Sequence, residues 1–284
     1  GTKGIDTLDD LAAVKSVVAE SVRRGGMSVL NADDPRTLAM ARHAGGAVCY
    51  FSMTGAKTGI VGEHIAKGGR AMLRENFGGI DQIVLHEDRS CVPIIPVEGI
   101  PATLGGALAF NVQNALAAAC CCLGLGMGPD AIGHALGSFT SSFDQNPGRF
   151  NIHDGHGFRV VLDYAHNPAA LAALLKAVRI IRPLEARVLA TISMPGDRRD
   201  EDIREMGRLA GGELDLVIFR ELPDTRGRPP GEVVRLLAEG AREAGCSSDR
   251  IVMALAEEDA TEECLSRARP GDLVILTPTK VEAV

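Results

Sequence analysis

The chain has 284 residues, 45% of them hydrophobic and 24% charged, with a formal net charge of −7 and a pI near 5.6. That length corresponds to about two ordinary domains, and the acidic balance excludes the broad basic surface that non-specific nucleic-acid binding requires. No run of about 18 apolar residues could span a bilayer and no charged, apolar leader precedes the first helix, so neither nucleic acid nor a membrane is expected as a partner.

Thr7 followed by Asp10 is a capping-box pair, and Leu8, Leu11, Val14, Val17 and Val18 recur behind it at helical spacing, which predicts a helix over 7–20. Ser28 to Leu30 reads as a short buried strand. Asn31-Ala32-Asp33-Asp34-Pro35 then turns into a helix over 36–44, with Pro35 suited to its first position and an Asp to its cap. Gly45-Gly46 stops that helix, and 47–51 is the next strand. From 59 to 104 the short runs 80–85 and 92–97, separated by paired glycines, predict an antiparallel β insertion. Helices return at 111–124 and 129–138. The Cys120-Cys121-Cys122 triplet in the first of these is read as small apolar packing. Seven cysteines, an odd number with no CxxC, fit a reducing, cytoplasmic setting.

After the polar stretch 138–146 a regular alternation begins, so the domains are placed at 1–146 and 147–284. Strands fit 158–163, 187–192, 214–219, 250–253 and 272–276, and helices fit 168–181, 200–211, 230–244 and 257–267. This spacing predicts parallel βαβ units in a doubly wound sheet, whose ligands sit beyond the carboxyl ends of the strands. The polar clusters fall at those ends. Asp163-Tyr164-Ala165-His166-Asn167-Pro168 can present a carboxylate to sugar hydroxyls and an imidazole beside it; the plainer alternative is Asn167 as a helix cap with Asp163 bonded to backbone. Arg149, after Pro147-Gly148, can make bidentate bonds to a phosphate. Asp197, Arg198, Arg199 and Asp200, extended by Glu201 and Asp202, form either a self-compensating helix start or, with Glu221, Asp224, Arg226 and Arg228, a dock for a zwitterionic or guanidinium-bearing substrate. No GxxxxGK[ST], GxGxxG after a strand, HExxH, GxSxG or paired Cys/His set occurs.

Four ordered motifs, 30–35, 110–118, Pro147-Gly148-Arg149 and 163–168, resemble the Mur ligase superfamily, and 4–15, 103–106, 195–202 and 224–228 resemble its cyanophycin-forming branch. The resemblance implies the C-terminal part of a central P-loop ATPase domain, without its P-loop, followed by a Rossmann-like domain. It implies that Asn111 and Asn114 contact adenine, Arg149 the phosphates and Asp163 the ribose, with His166 lining the nucleotide site. Phe110 stands where many such ligases have His. ATP and Mg²⁺ are the implied cofactors, with the triphosphate and metal ligands expected upstream of Gly1, which is not a Met and suggests a piece of something longer. The implied reaction is ADP-forming addition of L-arginine to the β-carboxylate of aspartate through an acyl phosphate, on an aspartate/arginine polymer, by an enzyme that can form homo-oligomers. The piece alone is expected to be inactive. A peptidoglycan-type or folate-type ligase is the nearest alternative, and a non-catalytic module that binds amino acid or polymer is the other.

Overall fold

The computed structural model describes residues 4–55 and 59–279. The chain divides into two compact units, Gly1–Phe139 and Thr140–Val284.

The first unit opens with α1 (Leu8–Glu20), held by the expected capping box: Asp10 N–H donates to the Thr7 hydroxyl at 3.0 Å and Thr7 N–H to the Asp10 carboxylate at 2.9 Å. Its larger apolar residues, Leu8, Leu11, Val14, Val17 and Val18, stay exposed, and the buried ones are the small Ser16 and Ala19. Strand β1 (Met27–Asn31), helix α2 (Pro35–Ala39), strand β2 (Ala47–Ser52), helix α3 (Gly59–Ala66) and strands β3 (Arg70–Phe77), β4 (Ile80–Glu87) and β5 (Ser90–Pro96) follow, then helices α4 (Ala109–Gly124) and α5 (Pro129–Ser138). The sheet runs β1-β2-β3-β4-β5, parallel from β1 to β3 and antiparallel from β3 to β5.

The β insertion is therefore smaller than its sequence predicts. Eight residues with Gly59 and Gly62 among them still form α3, because Val61 finds a core of Leu30, Tyr50, Ala71 and Leu73. On the other face α4 lays Val112, Leu116, Ala119 and Cys120 over Met72, Ile83 and Leu85. Only one of the three consecutive cysteines is buried; Cys120 meets Cys49, sulfur to sulfur, at 3.4 Å, while Cys121 is exposed and Cys122 half-buried.

The second unit contains β6 (Arg149–His153), β7 (Arg159–Asp163), α6 (Pro168–Ile181), β8 (Val188–Ile192), α7 (Asp200–Glu213), β9 (Leu216–Arg220), α8 (Glu232–Glu243), β10 (Ile251–Ala254), α9 (Glu257–Ser266) and β11 (Leu273–Leu276). The sheet order is β10-β9-β8-β11-β7-β6, with every pair parallel except the edge pair β6–β7. β11 lies between β7 and β8, so α6 must carry the chain over it, and β6 is a hairpin strand that its polar Asn151 and His153 conceal in the sequence. Strands buried on both faces explain the runs without alternation. One face meets α9 through Ala260 and Cys264, packed on Val160, Leu189, Leu216, Ile218, Val274 and Leu276. By alternation, Val161, Ala190, Val217 and Ile275 point the other way. α7 and α8 press together at Gly207 and Gly240, where an added Cβ would lie 2.0 Å from the carbonyl oxygens of Leu237 and Arg204.

Candidate functional site

Asp163 closes β7, and Arg149 opens the antiparallel β6 directly opposite it. The register slips there: Arg149 pairs with Asp163 and Asn151 with Leu162, leaving Phe150 as a bulge at φ +54°. That bulge turns the Phe150 N–H onto the Asp163 carboxylate at 3.0 Å, while the Tyr164 N–H donates to the Gly148 carbonyl at 3.1 Å. Buried Asn151 builds the turn from within, accepting from Gly148 N–H at 2.6 Å and donating to the Ser141 and Asn146 carbonyls at 2.8 and 2.9 Å. Nothing in the order of residues marked Phe150 or Asn151 as shaping the site, since the bulge appears only once the strands pair.

The plainer alternative for this turn is met in both parts: Asn167 caps α6 by accepting from Ala170 N–H at 2.9 Å, and Asp163 bonds to backbone. Yet burial raises the Asp163 carboxyl from 3.8 to about 6, against the opposing pull of the Phe150 N–H and the Arg149 charge. A desolvated carboxylate at a strand end is costly to keep unless something uses it. The Arg149 guanidinium sits over the Tyr164 ring at 5.1 Å, in salt-bridge contact with no carboxylate among the described residues. Tyr164 in turn meets His166 edge-on at 5.5 Å. Burial pulls the His166 imidazole below its ordinary value, against a backbone contact with Ala165 that favours protonation and with the Arg220 and Arg149 charges adding to the lowering, and its Nδ1 is buried with no hydrogen bond of good geometry among the described residues. Arg149, Asp163 and His166 are thus brought together.

The charged loops after β8 and β9 are laced to each other. Arg226 donates to Asp197 at 2.7 Å and holds that carboxyl below its usual range. The Asp224 carboxylate accepts from the Arg226 N–H at 2.8 Å, fixing a turn in which Arg226 has φ +52°. Arg198 stands 3.9 Å from Asp197, Arg199 bonds Asp202 at 2.8 Å, and Asp200 takes Arg228 at 2.8 Å. Gly196 is needed where the loops touch, since a Cβ would lie 2.1 Å from the Thr225 carbonyl oxygen. Glu221 is buried, with one carboxylate oxygen accepting from Gly231 N–H at 2.9 Å and Val233 N–H at 3.2 Å, so it caps α8 from ten residues away instead of standing open to a guanidinium.

In the first unit Asn111 and Asn114 stand one turn apart on α4. The Asn111 amide donates to the Ala102 carbonyl at 2.7 Å, and the amide of exposed Asn114 lies 3.3 Å from the Asn111 side-chain oxygen. Thr103 knits the preceding loop, donating to the Ile100 carbonyl at 2.8 Å and accepting from Gly106 N–H at 3.0 Å.

The second unit is thus a mostly parallel α/β domain whose strand ends carry a desolvated Asp, an Arg on a bulged edge strand and two interlocked charged loops. Residues 148–279 match the family described as "Mur ligase, glutamate ligase domain", and the chain belongs to the Mur ligase superfamily. The cyanophycin synthetase of Geminocystis herdmanii is 36% identical over 99% of this chain, which spans 31% of that relative's length. A UDP-N-acetylmuramoyl-L-alanyl-D-glutamate–2,6-diaminopimelate ligase of Corynebacterium efficiens is 31% identical over 66% of the chain and 35% of its own length. Among solved structures, E. coli FolC in complex with ADP superposes with a TM-score of 0.64 at 18% identity, over 97% of this chain and 55% of FolC, a likeness of fold. Among the described residues no helix is long and apolar enough to cross a membrane.

Proposed function

We propose that this chain forms the nucleotide- and amino-acid-facing part of an ATP-dependent, ADP-forming ligase that joins L-arginine to the β-carboxylate of aspartate in an aspartate/arginine polymer. The observation that carries the reading is the Arg149–Asp163–His166 group at the β6–β7 end. A buried carboxylate suits the paired hydroxyls of a ribose, a guanidinium with no salt-bridged carboxylate among the described residues suits a phosphate, and a half-buried imidazole beside them suits a ligand polar atom. FolC, with a similar fold, has been solved with ADP, and the relative similar over 99% of the chain is a cyanophycin synthetase.

ATP supplies the phosphoryl group that activates the acceptor carboxylate, and the nucleophile is the α-amine of the incoming amino acid. This chain's residues bind and orient: Asp163 and His166 hold the nucleoside, Arg149 neutralises phosphate charge, and Asn111 and Asn114 are assigned to the adenine. Arg226 exchanges its Asp197 partner for the α-carboxylate of arginine, and the released Asp197, with Asp200 and Asp224 nearby in the loops and Arg198 and Arg199 balancing them, receives the guanidinium. Glu221 serves this only indirectly, by fixing the start of α8. Among the described residues no group of three or more His, Cys, Asp or Glu is arranged to hold a metal ion.

The test is a chimera in which this chain replaces the matching third of the Geminocystis herdmanii enzyme. With ATP and an aspartate-terminated primer, amide formation with L-arginine and not with lysine, diaminopimelate or glutamate supports the reading. Preference for diaminopimelate or glutamate assigns the chain to the peptidoglycan or folate class, and a folded chimera inert with every amino acid assigns it to the binding modules.

A further inference from the structure

β9 reads Leu216-Val217-Ile218-Phe219-Arg220, four apolar residues and then an arginine whose side chain is 1% exposed. An arginine there is expensive: taking a guanidinium out of water costs several kcal/mol unless it is fully paired, and a hydrophobic residue would fill the position without that cost. The contacts say what it is used for. Arg220 donates to the Thr277 carbonyl, to the Thr279 hydroxyl at 3.1 Å and to the Glu221 carbonyl at 3.3 Å, and it pairs with Glu257 at 3.2 Å. The other oxygen of Glu257 accepts from the Thr279 N–H at 2.9 Å. Thr277 is tied to β8 as well, its N–H reaching the Thr191 hydroxyl at 3.2 Å and its hydroxyl the Thr191 carbonyl at 2.8 Å. One cation therefore pins the first turn of α9 and residues 277–279 to the end of β9.

Those three residues lie where the nucleotide is proposed to sit. Leu276 pairs with Leu162 in parallel register, so the segment after it runs beside Asp163 and the His166 turn. We propose that Arg220, held by Glu257, is a positioning residue that fixes residues 277–279 beside the Asp163–His166 turn. The proposal rests on the nucleotide reading of that turn. The charged and titratable groups that act on His166 are Arg149 from β6, Arg220 from β9 and Glu257 from α9, with Tyr164 against its ring and Glu258 acting on Arg220. The Arg220 and Arg149 charges oppose protonation of the imidazole and the Glu257 charge favours it.

The experiment follows the His166 imidazole resonances of the 284-residue chain through pH in wild type, Arg220→Met, Arg220→Lys and Glu257→Gln, with ADP titrated into each and melting recorded. Losing the cation while keeping Glu257 should raise the His166 midpoint, losing Glu257 while keeping the cation should lower it, and Arg220→Lys should stay near wild type. Arg220→Met should also weaken ADP about tenfold, the scale of one misplaced polar contact, with partial recovery in Arg220→Lys. Midpoints that move the same way in Arg220→Met and Glu257→Gln, or not at all while melting falls in both, overturn the proposal and leave Arg220 a structural tie. Should Arg220→Met fail to fold, the Lys and Gln variants decide by the same signs. A wild-type chain that takes no ADP sinks the nucleotide reading, while the imidazole midpoints still decide the role of Arg220.

Discussion

Replacing Asp163 by Asn tests whether the fold keeps a desolvated carboxylate at its own expense. A rise from 3.8 to about 6 is about two units, or about 3 kcal/mol at 1.36 kcal/mol per unit. The folded carboxyl holds its proton to higher pH than the unfolded one, so wild-type stability falls as pH rises across that window. Roughly 1 kcal/mol of it has gone by pH 4.5 and about 2 kcal/mol more is lost by pH 8. The substituted amide offers one acceptor oxygen where the carboxylate offers two, which costs the same at every pH and leaves the slope to report ionisation. At about 2 to 4 °C per kcal/mol, the melting temperature of Asp163→Asn minus that of wild type should climb by about 4 to 8 °C between pH 4.5 and pH 8. Calorimetry at four or five pH values reads this directly. A difference that stays constant with pH would refute the reasoning, because Asp163 would then ionise in the fold as it does in the unfolded chain.

Glu221→Ala should leave the N–H groups of Gly231, just before α8, and of Val233, in its first turn, without their acceptor, lowering stability by about 1 to 3 kcal/mol in urea unfolding; an unchanged midpoint would show that the cap contributes nothing. Asn111→Ala should cost about 1 kcal/mol through its bond to the Ala102 carbonyl, whereas exposed Asn114→Ala should stay within about 0.5 kcal/mol, and equal losses in thermal unfolding would contradict that division. In the chimera, Arg226→Ala should raise KM for arginine on the order of 30-fold and leave KM for ATP nearly unchanged; the exposed Asp197 pair itself should be worth under about 1 kcal/mol. Parallel movement of both constants would make Arg226 a residue of the turn alone. Without a GxxxxGK[ST] loop, the chain by itself should release no phosphate from ATP, a point that a coupled phosphate assay settles.

What the sequence disclosed and what it hid follow from distance along the chain. The second sheet was legible because each buried strand is an apolar run ending in a cluster such as 163–168, and burial on both faces needs no alternation to be recognised. β3 was missed because Arg70, Arg74 and Glu75 interrupt its pattern, and these charges are accounted for only across the hairpin, Arg74 on Asp81 at 2.7 Å and His86 on Glu75 at 3.2 Å. α1 announced itself by its cap, yet its apolar spacing gave no hint that Ser16 and Ala19 would be the buried residues. Around the site, Asp163 was singled out by its place at a strand end and Arg149 by the Pro147-Gly148 turn before it. Arg220 was passed over between the strand placed at 214–219 and the charged cluster that begins at Glu221, and Glu221 was taken for a ligand because its partners, Gly231 and Val233, are ten and twelve residues away.

The central claim, that the β6–β7 end holds the nucleotide and the two charged loops hold the amino acid, is tested most directly by hydrogen exchange on the chimera. ADP should protect the peptides spanning 147–150 and 162–168, and L-arginine those spanning 195–202 and 224–228. Protection by ADP that leaves 162–168 unchanged, or by arginine that falls outside both loops, would contradict it.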